Sequence, residues 1–290
     1  MHDRRLGLQK LVDRSLCCLA LALLGGVAAP TQATLLFSDG FAYANGDLAG
    51  NGGGTGWQAS SLWSGGTGSG GNLVADPLPG TDGKSIQIAS NASETSRPLS
   101  AAYASGGATT YYISFGFNAD PFQGAGVGQY AGVSVYLAST AGNNLTMGMP
   151  GSSGQFGFDW TNRADLSAPG ANNTTYLALY EIAAGTNTGT TKVTMYASTD
   201  LLLSGTALMQ TAPWVSIDNE ANFSFDTVSI AGSYNTGAIS LAGLAMADNA
   251  NEAVAFTQTA VPEPGLLTAS AAGLAVTLAF IRRRSSAIEG

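Results

Sequence analysis

Between residues 34 and 260, apolar side chains recur at every second position in short runs broken by glycine and asparagine. In the stretch Tyr112-Ile113-Ser114-Phe115-Gly116-Phe117, the residues Ile113, Phe115 and Phe117 share one side. Val133, Val135 and Leu137 do the same further on. Successive side chains of a strand point to opposite faces, so this alternation describes strands packed on one side. The same reading predicts strands over 34–37, 85–89, 111–118, 132–138, 145–149, 155–160, 176–183, 192–197, 225–231 and 239–247. Clusters at 124–128, 141–144 and 185–189 separate them as turns. Helical periodicity with caps is confined to the two ends of the chain. Ten strands at hairpin spacing predict an all-β fold, a two-sheet antiparallel sandwich.

The two ends read differently. Arg4, Arg5, Lys10 and Arg14 precede an apolar run over 16–27, and Thr31-Gln32-Ala33 offers small residues for cleavage. That is the layout of a secretory signal peptide over 1–33, with a mature start at Thr34. An uncleaved N-terminal anchor is the alternative. At the other end, Val261, Pro262, Glu263 and Pro264 precede an uncharged run over 265–281, and Arg282, Arg283 and Arg284 follow it. As a helix the run would extend about 25 Å, at the short end for a hydrocarbon core of about 30 Å. Prolines cannot lie inside it, so it begins after Pro264. The arginines resist translocation and stay cytoplasmic. The chain thus divides into 1–33, a β domain over 34–260, and a tail over 261–290, with a hydrophobic targeting helix at each end.

Removing the leader changes the chemistry available. Cys17, Cys18 and His2 all lie in 1–33, and 34–260 contains no cysteine or histidine. That excludes Ser-His-Asp and Cys-His catalysis, zinc sites built on His or Cys, and disulfide staples from the β domain. Its basic residues are Lys84, Arg97, Arg163 and Lys192 against fifteen acidic ones, a net charge of −11. Such a surface disfavours nucleic acid and anionic lipid. It leaves calcium open.

The tail Pro262-Glu263-Pro264, apolar run and Arg282 to Arg284 resembles the PEP-CTERM sorting signal of bacterial surface proteins. The resemblance implies recognition by exosortase, a membrane protease that removes the tail, so that contact with the membrane is transient. The other reading is an ordinary C-terminal membrane anchor. A second resemblance is spread over the β domain. The stretch from Phe41 through Asn51-Gly52-Gly53-Gly54-Thr55-Gly56-Trp57 to Trp63 is similar to the opening of concanavalin A-like, laminin-G-like jelly-roll domains. Tyr176 to Ile182 with Lys192 to Tyr196 resembles a central strand pair of that fold. Phe225 to Ile230 and Ile239 to Met246 resemble its closing strands. The resemblance implies a jelly-roll sandwich. Ser240-Leu241-Ala242 stands where that fold usually carries an acidic residue early in its last strand, which weakens the transfer of a metal or ligand site.

Folds of this kind host glycoside hydrolases that place Glu-x-Asp-x-x-Glu on one strand, setting carboxylates on one face as nucleophile and acid. No such run occurs here. Asp218-Asn219-Glu220 is the nearest approach and reads as a polar turn before a strand. Gly66 to Gly71 spells G-x-G-x-x-G but follows no strand and opens no helix, so it reads as a loop and not a dinucleotide site. Sugar rings stack on exposed aromatic faces. Trp57 and Trp63, in a Gly- and Ser-rich segment, are the candidates for glycan stacking, against the commoner alternative of core packing. Trp160 reads as core and Trp214 as packing at a sheet edge. Asp76, Asp82, Asp120, Asn143, Asn144, Asn172 and Asn173 are candidate calcium donors, against their commoner role in turns.

The reading is therefore an exported cell-surface or matrix protein without a catalytic set. Its partners would be the secretion machinery, exosortase and extracellular polysaccharide. A divergent polysaccharide-active hydrolase or lyase, and a purely structural role, stand as alternatives. Replacing Pro262, Glu263 and Pro264 by alanine is expected to leave the protein membrane-retained at precursor mass in cell fractionation. Normal release of that variant would exclude exosortase recognition.

Overall fold

The computed structural model describes residues 34–65, 73–75, 78, 84–88, 94–120, 134–138, 145–148, 155–160, 163–169, 171, 173–231 and 238–260. Segments 1–33 and 261–290, expected as leader and sorting tail, lie outside them, as does the glycine-rich stretch 66–71. The elements run β1 (Leu35–Asp39), β2 (Gly46–Asp47), β3 (Ser64–Gly65), β4 (Leu73–Ala75), β5 (Ser85–Ile88), β6 (Thr95–Ala104), β7 (Tyr111–Asp120), β8 (Ser134–Ala138) and β9 (Leu145–Gly148). Then follow β10 (Gln155–Trp160), β11 (Arg163–Pro169), β12 (Thr174–Ala184), β13 (Thr190–Ser198), α1 (Gly205–Met209), β14 (Val215–Ala221), β15 (Ser224–Ala231), β16 (Ala238–Ala247) and α2 (Ala250–Ala260).

Among the described residues the strands form two antiparallel sheets. One has nine strands in the order β14-β13-β12-β7-β16-β5-β4-β2, with β1 also paired to β16. The other has seven, ordered β11-β10-β9-β8-β15-β6-β3. Their apolar faces meet in one core. Ile113, Phe115 and Phe117 of β7 point into it, as their alternation requires. Tyr176, Ala178, Tyr180 and Ile182 of β12 join them. Leu145, Met147, Phe158, Val228 and Ile230 come from the seven-stranded sheet. Each large side chain buried here contributes about 1.5–3 kcal/mol.

All ten segments expected from the pattern are strands, with ends shifted by at most two residues. The pattern missed β6, β11 and β14, and the two- or three-residue strands β2, β3 and β4. Apolar alternation in β6 is broken by Arg97 and Pro98, and β11 and β14 end their sheets, where polar side chains are tolerated. Asp218-Asn219-Glu220, expected as a polar turn, is instead the bulged end of β14, where the pairing register with β13 shifts and Asn219 has φ 65°.

The expectation of no helix inside the domain also needs correction. Leu177 and Leu179 of β12 face away from the main core and would lie in water on a bare sheet. Helix α2 covers them, with Ala250, Ala253 and Val254 completing a second apolar layer. Its apolar stripe was hidden because Thr257 takes the fourth position. Thr257 is buried, and its hydroxyl donates to Gly243 O at 3.0 Å and Ala253 O at 3.2 Å. Asn249 caps the helix by accepting from Asn251 N at 2.8 Å. No helix among the described residues is long and apolar enough to cross a membrane.

One side chain joins the two sheets through the core. The Tyr180 hydroxyl accepts from Gly148 N at 2.9 Å and donates to Gly157 O at 3.0 Å. Gly148 and Gly157 are paired residues of β9 and β10, so a tyrosine of one sheet completes the ladder of the other. Burial pushes this phenol far above its ordinary pKa. Tyr180→Phe strands a buried N–H and a carbonyl, an expected loss of about 1–3 kcal/mol. In a domain of this size that lowers Tm by several degrees, about 2–4 °C per kcal/mol. A calorimetric Tm equal to that of the parent would refute the bridge.

Candidate functional site

Trp57 and Trp63, the candidates for glycan stacking, are both buried, at 8% and 1% exposure. The Trp57 indole N–H donates to Ser38 O at 2.9 Å, and its ring lies 5.3 Å from both Phe37 and Trp63. The Arg97 guanidinium sits 4.6 Å from the centroid of the same ring. The Trp63 N–H donates to Asp39 Oδ2 at 2.9 Å. Neither indole presents a face to a sugar, so the expected stacking pair is corrected to a core pair. The surrounding glycines serve close approach instead. A Cβ on Gly54 or Gly56 would stand 1.7 Å from Ser38 O or 1.9 Å from Leu36 O, at φ of 71° and 78°.

Around these rings lies a closed polar network. Asp39 is 1% exposed, and its Oδ2 also accepts from Tyr43 Oη at 2.5 Å and Arg97 Nη1 at 3.2 Å. Its Oδ1 accepts from Phe41 N at 2.8 Å, which holds Phe41 at φ 53°. Arg97 donates further to Gly53 O at 2.8 Å and Ser61 Oγ at 3.3 Å. Burial, then the Asp39 charge, raises the Tyr43 phenol well above its usual range. Buried charges persist when paired and fully hydrogen-bonded. With Asp39 buried and bonded to Phe41, Tyr43, Trp63 and Arg97, the network is a structural latch.

Two other sequence candidates prove structural. Asp218 accepts from Thr186 N and Thr186 Oγ1, each at 3.0 Å, and Asn219 Oδ1 accepts from Asn187 N at 2.8 Å. The pair therefore clamps the β12–β13 hairpin, and the backbone N–H of Thr186 leads in holding the Asp218 carboxyl below its ordinary pKa. Trp214 packs edge-on against Tyr176 at 5.4 Å beside β14, which ends its sheet, as expected. Of the candidate calcium donors, Asn173 adopts φ 51° at the start of β12, and Asp120 ends β7; the other five lie outside the described residues. No cluster of three His, Cys, Asp or Glu occurs among the described residues.

The open space lies elsewhere, on the outer face of the nine-stranded sheet. A cleft of about 340 Å³ is lined by Tyr112, Thr206, Met209, Gln210, Asp248, Asn249 and Ala250. Tyr112 is the outward alternate of the strand whose inward residues fill the core. In register it lies between Glu181 of β12 and Ala247 of β16. Burial, then the Glu181 charge, raises its pKa. The walls are fixed by the two helices. Ser204 caps α1 by accepting from Ala207 N at 3.2 Å. Thr206 donates to Asn251 Oδ1 of α2 through its N–H at 2.8 Å and its hydroxyl at 3.2 Å. Gly205 allows this approach, since a Cβ there would stand 2.2 Å from Ala250 O. Gln258 of α2 donates to Leu201 O and Leu203 O, both at 2.8 Å, and holds the loop before α1.

Chemically the cleft joins an aromatic ring and a thioether to hydroxyl and amide groups with one carboxylate. A glycosidase needs two carboxyl groups roughly 5–9.5 Å apart. The lining supplies only Asp248. Strand alternation marked Tyr112 as outward-facing, but the cleft walls come from α1 and α2, which the pattern missed. The Asn249 cap followed three residues later by Glu252 was the available signal. One register row of the seven-stranded sheet joins Ser64, Ser96, Ser229, Tyr136, Thr146 and Asp159, and within it Ser229 and Thr146 are buried.

No protein-family model and no curated protein matches the chain. Solved structures with related backbones include one described as HCR/D-Sa-GBL1/C, at 8% identity and TM-score 0.42, covering 76% of this chain and 52% of that one. The chain thus spans about half of that structure. Lectin II from Ulex europaeus is similar at 12% identity and TM-score 0.38, with 65% of this chain and 92% of that one covered. The globular domain of T. cruzi calreticulin is similar at 12% identity and TM-score 0.41, with coverage of 85% and 100%. Likeness at this level assigns no ligand.

The latch is open to direct test. Asp39→Ala leaves the Arg97 charge buried without its partner, an expected loss of about 3–5 kcal/mol. Adding Arg97→Met should restore part of it in urea denaturation. A loss below about 1 kcal/mol in the single variant, the range of exposed pairs, would show that the pair is dispensable.

Proposed function

We propose that this chain is an exported, non-catalytic glycan-binding protein of the cell surface or extracellular matrix, with the Tyr112 cleft as its sugar site. The observation that carries this is the lining of the cleft: an aromatic ring, neutral hydroxyl and amide groups, and a single carboxylate. Sugars present apolar C–H faces and a ring of hydroxyls. Pockets that hold such polar ligands combine an apolar wall with a few placed donors and acceptors. Thr206, Gln210 and Asn249 supply groups that both donate and accept. One carboxylate suits hydrogen bonding to hydroxyls and falls short of the pair that hydrolysis requires.

In this reading the sandwich is a concanavalin A-like jelly roll, supported by its two multi-stranded antiparallel sheets. The leader 1–33 and the Pro262-Glu263-Pro264 tail supply the route, with exosortase acting on the tail. The acidic β domain disfavours anionic polymers, so the ligand is a neutral glycan.

A glycan array probed with residues 34–260 is the test. Binding to a neutral polysaccharide is expected, weakened about tenfold by Tyr112→Ala, equivalent to about 1.4 kcal/mol. Silence across plant, algal and bacterial glycans would remove the lectin reading. Undiminished binding by Tyr112→Ala and Gln210→Ala would exclude the Tyr112 cleft as the site. New reducing ends from the bound polysaccharide would restore the hydrolase.

A further inference from the structure

Thr34 makes a contact whose meaning changes with processing. Its backbone N donates to Asp248 Oδ1 at 2.8 Å, and Asp248 N donates back to Thr34 O at 3.3 Å. Asp248 follows β16 directly, precedes the α2 cap Asn249 and lines the Tyr112 cleft. Thr34 itself immediately precedes β1, whose Leu35 pairs with Ala247. The expected leader cut falls between Ala33 and Thr34. Hydrolysis of that bond by a leader peptidase adds one water: Ala33 departs as a carboxylate, and the Thr34 amine takes up a proton. The neutral amide N–H on Asp248 thereby becomes an α-ammonium.

We propose that Asp248 is the docking site of the new N-terminus. Leader removal then converts a neutral hydrogen bond into an ion pair, which pins β1 to the end of β16 and cancels the one carboxylate charge of the cleft. Charge-assisted bonds are roughly twice as strong as neutral ones. Basic residues are scarce in 34–260, where they are Lys84, Arg97, Arg163 and Lys192, and Arg97 is committed to Asp39. Of the titratable groups on neighbouring elements, Tyr112 of β7 lines the cleft with Asp248, and Glu181 of β12 lies opposite Tyr112 in register. The inference rests on the reading of 1–33 as a cleaved leader, and two independent measurements separate the two.

The first compares protein beginning at a free Thr34 with the same protein N-acetylated. At pH 6 the free-amine form should melt about 1–4 °C higher, the range of an exposed ion pair in a domain this size. The docked amine is held above its ordinary pKa of about 8, so the gain is full below that pH and fades as pH rises through the docked value. Asp248→Asn should remove the difference, and so should a Gly-Ser extension ahead of Thr34. Equal melting of the free and acetylated forms, or a difference that survives Asp248→Asn, overturns the docking. The second is N-terminal sequencing of the exported protein. A start at Thr34 supports the reading, and a start elsewhere overturns the leader boundary even where the melting difference is found.

Discussion

A buried pair of opposite charges, Asp39 and Arg97, is the constraint on which one side of this sandwich depends. Asp39 ends β1, in the nine-stranded sheet, and Arg97 lies in β6, in the seven-stranded one. The segment between β1 and β3 is threaded through their shared network. It pairs with β1 at Ser38–Thr55 and with β6 at Trp57–Leu99. A glycine-rich stretch of this length would otherwise be a loop with a large entropy to lose on ordering. What holds it is a carboxylate that accepts four hydrogen bonds, a guanidinium lying on an indole, and two tryptophans filling the corner. Removing one charge strands the other, so the residues act as a set.

The nine-stranded sheet is buried on both faces at its centre, and this decides where a ligand has room. Strand β12 sends Tyr176, Ala178, Tyr180 and Ile182 inward and Leu177 and Leu179 outward. Outward leucines require a cover, and α1 and α2 provide it. Two short helices on a broad sheet leave an edge, and the cleft lies at that edge beside Tyr112. Its polar rim is a by-product of helix capping and interhelix bonds: Asn249 and Thr206 bond to Asn251, and Asp248 to Thr34. Groups that secure the helices thus also line the space between them.

Charge ties the domain to its proposed surroundings. A strongly acidic β domain that spends one of its four basic side chains inside the core shows an anionic surface to partners. That suits solubility outside a cell and a neutral polymer as ligand. It also makes the α-ammonium at Thr34, once released, a rare positive charge among carboxylates.

Sequence by itself determined the ten strands with clear apolar runs and the inward face of β7, because period-two alternation of Ile113, Phe115 and Phe117 has one physical solution in water. It also determined the chemistry that is missing, because a domain without histidine or cysteine lacks their reactions in any fold. The tertiary structure alone decided the fate of the tryptophans. A Gly- and Ser-rich stretch is locally consistent with exposure, and only the approach to β1 and the distant Asp39 and Arg97 turn it inward. The same holds for the cleft. Tyr112 was legible as outward-facing, but its neighbours come from residues about 95 to 140 positions later, joined by a helix whose apolar stripe is completed by a threonine. Local pattern records which side of a strand is wet. It does not record which distant segment then covers it, because that depends on contacts between residues far apart in the chain.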